Sequence, residues 1–148
     1  MASELTVEAI DSLLRSIYDN SVVVSETKNW FQVLHGSEET VVYVSQCKPS
    51  AFGKANWYYE FYHSIGESAI QKILDSEARL LLIDYMNRRY AYLSSDDIDW
   101  TIENSSRFWK NKGEVTDFVI KESKSGFYLC PTMSGIDKFR DVEVFSFQ

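Results

Sequence analysis

Apolar residues recur at helical spacing near the N-terminus and at strand spacing over most of the remaining chain. Ile10, Leu13, Leu14 and Ile17 follow the i, i+3, i+4, i+7 rule and make one apolar stripe. Thr6 stands ahead of them as a cap, Glu8 favours the dipole of the first turn, and Asp19-Asn20-Ser21 ends the helix. Val22-Val23-Val24 is a β-branched run, either a strand or an extended lead-in. Trp30–His35, a turn at Gly36-Ser37-Glu38-Glu39 and Thr40–Lys48 read as a β-hairpin. In its second strand Val42, Val44, Gln46 and Lys48 share one face, and Val41, Tyr43, Ser45 and Cys47 share the other. Pro49 stops the pairing, and Ser50–Asn56, with Gly53, is a loop.

Trp57–His63 alternates two largely aromatic sets: Trp57, Tyr59, Phe61 and His63 against Tyr58, Glu60 and Tyr62. Such a strand is covered on both sides or exposes an aromatic platform on one. Ser64-Ile65-Gly66-Glu67 matches the capping box, followed at helical spacing by Ile70, Ile73 and Leu74. Leu80-Leu81-Leu82-Ile83 is an unbroken apolar run of strand length, the pattern of a central strand buried on both faces. Asn87-Arg88 turns it into Arg89–Leu93, after which Ser94 or Ser95 caps a short acidic helix through Ile98 and Ile102. A second hairpin follows, Thr116–Lys121 and Phe127–Cys130 around Ser123–Gly126, and Val142–Phe147 alternates like a last strand.

Together these elements predict one α+β domain over residues 1–148. Its sheet is mixed or antiparallel, of about six strands, flanked by two main helices. Residues 1–95 form the core and 96–148 a C-terminal elaboration. At 148 residues the chain is long enough to bury a core without staples.

The formal charge of -7 argues against a general binder of phosphate backbones, leaves room for a local basic patch, and favours basic partners. Cys47 and Cys130 read as two reduced thiols of a cytoplasmic protein. The polar start and the lack of an apolar run near ~20 residues predict no membrane partner.

The second hairpin strand ends in Gln46-Cys47-Lys48, which puts an amide and a lysine two residues apart on one face. Helix, hairpin ending in Gln46-x-Lys48, strand, helix and strand, over Thr6 to Tyr92, resembles the core of the PD-(D/E)XK nuclease-like superfamily. That resemblance implies a nuclease-like core in which Lys48 stands at the lysine position and Gln46 where an acid is expected. It also implies a divalent metal, Mg, that activates a water for attack on phosphate. This chain departs from the pattern at the first acid. Phe31, Gln32 and Val33 occupy that part of the partner strand, and Glu26, Glu38 and Glu39 are the nearest carboxylates. The plainer interpretation makes Lys48 a solvated strand-end lysine and Gln46 a half-buried amide.

Three other groupings bear on chemistry. Arg107-Phe108-Trp109-Lys110-Asn111-Lys112 interleaves basic and aromatic residues; with Arg88, Arg89 and Lys54 it would contact phosphates while Trp109 stacks a base. Its plainer role is an aromatic anchor with solvated lysines. His35 and His63 could share a site with Glu60 or Cys47, and Cys47 with His63 is formally a nucleophilic pair. Two histidines without a Cys-x-x-Cys make no recognisable zinc set, so no metal site is expected. Asp96, Asp97 and Asp99 suit a helix start through the dipole alone.

The sequence therefore points first to a non-catalytic, cofactor-free nucleic-acid recognition domain of a restriction-type defence or nucleic-acid-processing system. The alternatives are a small acidic inhibitor or immunity protein that binds a basic protein through Asp96, Asp97 and Asp99, and a divergent metal-dependent nuclease using Lys48 and Gln46.

Overall fold

In the computed structural model, residues 3–47, 50–51, 57–105, 108–110, 113–131 and 139–148 are described. The elements are α1 (Val7–Ile17), β1 (Ser21–Ser25), β2 (Trp30–His35), β3 (Glu38–Cys47), β4 (Ser50–Ala51), β5 (Trp57–Gly66), α2 (Glu67–Ser76) and β6 (Arg79–Asp84). They continue with β7 (Arg89–Leu93), α3 (Ser95–Asn104), β8 (Phe108–Lys110), β9 (Gly113–Ser123), β10 (Gly126–Cys130), β11 (Arg140–Asp141) and β12 (Phe145–Ser146).

The fold is α+β, with the mixed six-stranded sheet that the sequence predicts, in the order β1-β2-β3-β6-β7-β12. β3 and β6 pair in parallel, joined by a connection that includes α2, and the other neighbours pair antiparallel. A second sheet, β11-β10-β9-β5-β4 with β8 on the side of β9, was not foreseen. It forms because the aromatic strand β5 leaves the first sheet and pairs with β9 from Trp57↔Ser123 to Gly66↔Val115. The segment beyond residue 95 thus supplies Ile98, Phe118, Ile120 and Leu129 to the core between the sheets.

Two apolar layers result. On one face of the first sheet, Ile10, Leu13 and Leu14 of α1 cover Val23, Phe31, Val33, Val42, Val44, Leu81 and Ile83. On the other, Leu80, Leu82, Ala91 and Leu93 meet Ile65, Phe118, Ile120 and Leu129 of the second sheet, with Ile70 and Ile73 of α2 and Ile98 of α3. β6 lies between the layers, and Leu80 through Ile83 have no exposed surface.

The ends of the helices show where local signals prevailed and where they did not. Thr6 caps α1, its hydroxyl accepting from the Ala9 N–H at 3.1 Å. Ser94 and Asp97 form a reciprocal capping box at α3. The box expected at Ser64 does not form. Ser64 is still in β5, paired with Asp117, and α2 starts at Glu67 with Gly66 as its N-cap and no side-chain cap. The long β5–β9 ladder holds Ser64 extended three residues before the helix begins.

The expected strand Val142–Phe147 is likewise shorter than its alternation suggests. Only Phe145 and Ser146 pair with β7, while Arg140 and Asp141 pair with β10. Between them the chain passes from one sheet to the other, and its apolar residues serve both layers: Val142 and Val144 in one, Phe147 in the other. The first hairpin turns on Gly36-Ser37 alone, with Gly36 at φ 65, so β3 begins at Glu38.

Because β6 is covered on both faces, Leu81→Ala and Leu82→Ala should each cost about 2–5 kcal/mol in urea unfolding. A strand covered on one side only would lose stability in one variant and stay near wild type in the other.

Candidate functional site

A cleft of about 730 Å³ opens on the α1 face of the first sheet, between the end of α1 and the C-terminal segment. Its walls include Tyr90, Tyr92 and Phe145, and its acids are Asp97, Asp141 and Glu143. Strand alternation aims the tyrosines this way: Ala91 and Leu93 point into the inter-sheet core, so Tyr90 and Tyr92 face α1. β12 lies on β7 with Phe145 opposite Tyr90, and the two rings stack with centroids 5.3 Å apart. The Tyr92 hydroxyl is hydrogen-bonded to that of Tyr18, whose ring meets it edge-on at 5.9 Å. Burial, and then the bond to Tyr18, push the Tyr92 hydroxyl up, and burial raises Tyr90 as well. Both phenols therefore stay neutral at physiological pH.

The acids of the cleft differ in availability. Asp97 is committed to the fold: one oxygen accepts from the Ser94 N–H and hydroxyl, both at 3.0 Å, and the other from Arg140 Nε at 2.8 Å. Asp141 and Glu143 are exposed, and their carboxylates take part in no hydrogen bond or ion pair among the described residues. Asp96, Asp99 and Glu103 of α3 are exposed as well. Of the three aspartates singled out in the sequence, two are thus available. Asp141, Glu143, Tyr90, Tyr92 and Phe145 match no site motif in the sequence. Alternating acid and valine in Asp141-Val142-Glu143-Val144 was the available signal, since it marks a strap with one face outward.

The nuclease-like residues are dispersed. Gln46 is spent on the N-terminal segment: its Oε1 accepts from the Leu5 N–H at 2.7 Å, and its Nε2 donates to the Leu5 carbonyl at 3.1 Å. Glu26 lies toward α2, 3.9 Å from Lys72 Nζ, with Gln32 Nε2 donating to it at 3.5 Å. The first sheet therefore stands between Glu26 and Gln46. Glu38 and Glu39 are at the turn end of β3, about 25 Å of strand from Gln46. Among the described residues no group of three His, Cys, Asp or Glu side chains could hold a metal ion. Lys48 is outside the described residues.

The expected basic patch is only partly assembled. Arg89 is half-buried and turned toward the second sheet, where its guanidinium is engaged by acids. Its guanidinium lies 3.4 Å from Asp84, which is fully buried, and 3.4 Å from Glu122 of the second sheet, with the Phe127 ring 5.4 Å away. Asp84 also accepts from the Met86 and Asn87 N–H groups at 3.0 Å, which fixes the β6–β7 turn. Arg88 is exposed at φ 54, bonded to the Gln148 carbonyl and stacked over Phe147. Trp109 and Lys110 lie on β8, which pairs with β9. Lys54, Arg107 and Lys112 are outside the described residues.

The histidines do not meet. His35 ends β2 opposite Glu38, 5.8 Å from the Tyr18 ring. His63 is buried between the sheets, where its Nδ1 is 2.8 Å from Ser45 Oγ and its Nε2 has no partner. Ser45, two positions before Cys47 on one strand face, holds the ring in place of the expected cysteine. Cys47 and Cys130 are both thiols.

Burial lowers the His63 imidazole from 6.5 to about 3. The unfolded chain takes up this proton near the ordinary histidine value and the folded chain does not until about pH 3. Stability is therefore full above that ordinary value and falls with pH below it, by up to about 1.4 kcal/mol per unit. Urea midpoints measured across this window should show the loss, and His63→Gln should flatten it. An NMR titration in which the folded His63 ring protonates above about pH 5 would contradict this assignment.

No protein-family model, curated protein or solved structure matches the chain.

Proposed function

We propose that this chain is a small acidic recognition protein that binds a basic protein partner, in the manner of an inhibitor or immunity protein. The observation that carries this reading is the open cleft in which exposed Asp141 and Glu143 stand beside the stacked Tyr90–Phe145 pair. Carboxylates attract a cationic side chain, and an aromatic face adds cation–π attraction to the same group. Asp96 and Asp99 are exposed on the same helix as Asp97, Asp99 toward the end of α2, and add to the negative charge that would steer a basic partner. The net charge of -7 acts in the same direction.

A second reading, nucleic-acid recognition on a nuclease-like core that has lost its metal ligands, rests on topology. The chain order α1, hairpin β2–β3, β5, α2 and β6 is the order on which the resemblance rests, although β5 pairs in the second sheet. Binding would then fall to the segment around Arg107, Trp109, Lys110 and Lys112. The inward commitment of Arg89 weighs against it.

Fluorescence anisotropy with a labelled hexa-arginine peptide and with short DNA and RNA duplexes separates the two. The acidic-protein reading expects the peptide to bind, and Asp141→Asn with Glu143→Gln to weaken binding about tenfold. Glu38→Gln with Glu39→Gln, the same charge change at the far hairpin turn, should alter it less than about twofold. Equal losses from both pairs, or binding of nucleic acid that Trp109→Ala abolishes, would overturn it.

A further inference from the structure

We infer that β1 is a self-association edge, through which a second copy of this chain pairs antiparallel to the first across a two-fold axis at Val23. β1 is the terminal strand of the first sheet. The direction of its free hydrogen-bonding groups follows from the ladder. The Glu26 N–H donates to the Trp30 carbonyl at 2.9 Å, so positions 26 and 30 are a hydrogen-bonded pair, as are 24 with 32 and 22 with 34 by alternation. Ser21, Val23 and Ser25 consequently turn their N–H and C=O groups to the open edge. Arg15 Nη1, which donates to the Ser21 carbonyl at 3.0 Å, marks that outward direction.

Edges of this kind are normally blunted by a charge, a proline or a bulge. Ser21-Val22-Val23-Val24-Ser25 has none of these, and its pairing to β2 is unbroken. Above it, on the face that the second sheet leaves bare, Val22 is 53% exposed, Val24 46% and Leu34 39%. The edge is therefore apolar, and apart from the Ser21 carbonyl, which Arg15 already reaches, its outward backbone groups have no hydrogen bond among the described residues.

The choice of a second copy rests on the sequence of the strand, which is a palindrome. Antiparallel pairing centred on Val23 sets Val22 opposite Val24, Ser21 opposite Ser25, and Val23 opposite itself. The outward-pointing positions 21, 23 and 25 are symmetric about the same centre, so every outward N–H meets a carbonyl in one register. Each Val22–Val24 pair stacks on the bare face, where cross-strand β-branched contacts favour the pairing. Charge within the strand does not oppose this arrangement. The strand itself carries none, so the acidic surface elsewhere does not oppose contact at the edge. The result is one continuous sheet through two molecules, on the opposite edge from the β12 side that bears the acidic cleft.

Sedimentation velocity of the full chain under reducing conditions, from micromolar to millimolar, tests this. The wild type should shift from monomer to dimer as concentration rises. Val22→Lys with Val24→Lys, which sets ammonium groups opposite one another across the axis, should stay monomeric with an unchanged thermal midpoint. Ser25→Pro, which removes an outward N–H and no β1–β2 bond, should weaken dimerisation likewise. A wild type that is monomeric at every concentration would overturn the proposal and leave the edge to a strand from another protein. A dimer that survives both variants would overturn it as well.

Discussion

The rest of the molecule is arranged around the burial of Leu80–Ile83 on both faces of one short strand. A strand covered twice must have two apolar layers built for it, and this chain uses nearly all its elements to build them. α1 covers Leu81 and Ile83, while the second sheet, α2 and α3 cover Leu80 and Leu82. At the end of the same strand the apolar pattern gives way to Asp84, a charge with no exposed surface. That carboxylate is tolerable only because the turn N–H groups and Arg89 satisfy it, and Arg89 reaches on to Glu122 in the second sheet. Removing one partner from such a set costs more than the set contributes, because a buried charge is left behind. The ion pair is accordingly a clamp on how the sheets meet.

This economy decides which polar groups remain for function. Arg89, Gln46, His63 and Asp97 each look like chemistry in isolation, and each is occupied by the fold: an inter-sheet ion pair, a tether to Leu5, a buried bond to Ser45 and a helix cap. Among the described residues, the α3 and C-terminal side presents acidic and aromatic groups outward, and β1 presents apolar, neutral ones. The two surfaces lie on opposite edges of the first sheet, so occupation of one leaves the other open.

Much of the fold could be read from residue pattern, because its strongest determinants are local. The stripe of α1, the turn at Gly36, the doubly buried run at Leu80 and the cap at Ser94 all announce themselves within a few residues. The second sheet did not, since nothing near Trp57 reveals that its partner is β9, more than fifty residues away. The same non-local pairing overrode the capping signal at Ser64. The candidate site was harder to see for a related reason. Tyr90 and Phe145 meet only after β12 returns to β7, and Asp97 and Arg140 are brought together from different elements. The pairing of Arg89 with Asp84 and Glu122 was equally hidden, because Glu122 reaches it only through the second sheet.

The most direct test of the functional account is an NMR footprint, following backbone amides and tyrosine rings as hexa-arginine peptide is added. The account predicts that shifts concentrate on Tyr90, Tyr92 and residues 141–145, with smaller changes at Asp96 and Asp99, and that β1 and the hairpin turn at Gly36 stay silent. Shifts spread evenly over every acidic residue, or gathered on β8 and β9, would contradict it and place recognition elsewhere on the molecule.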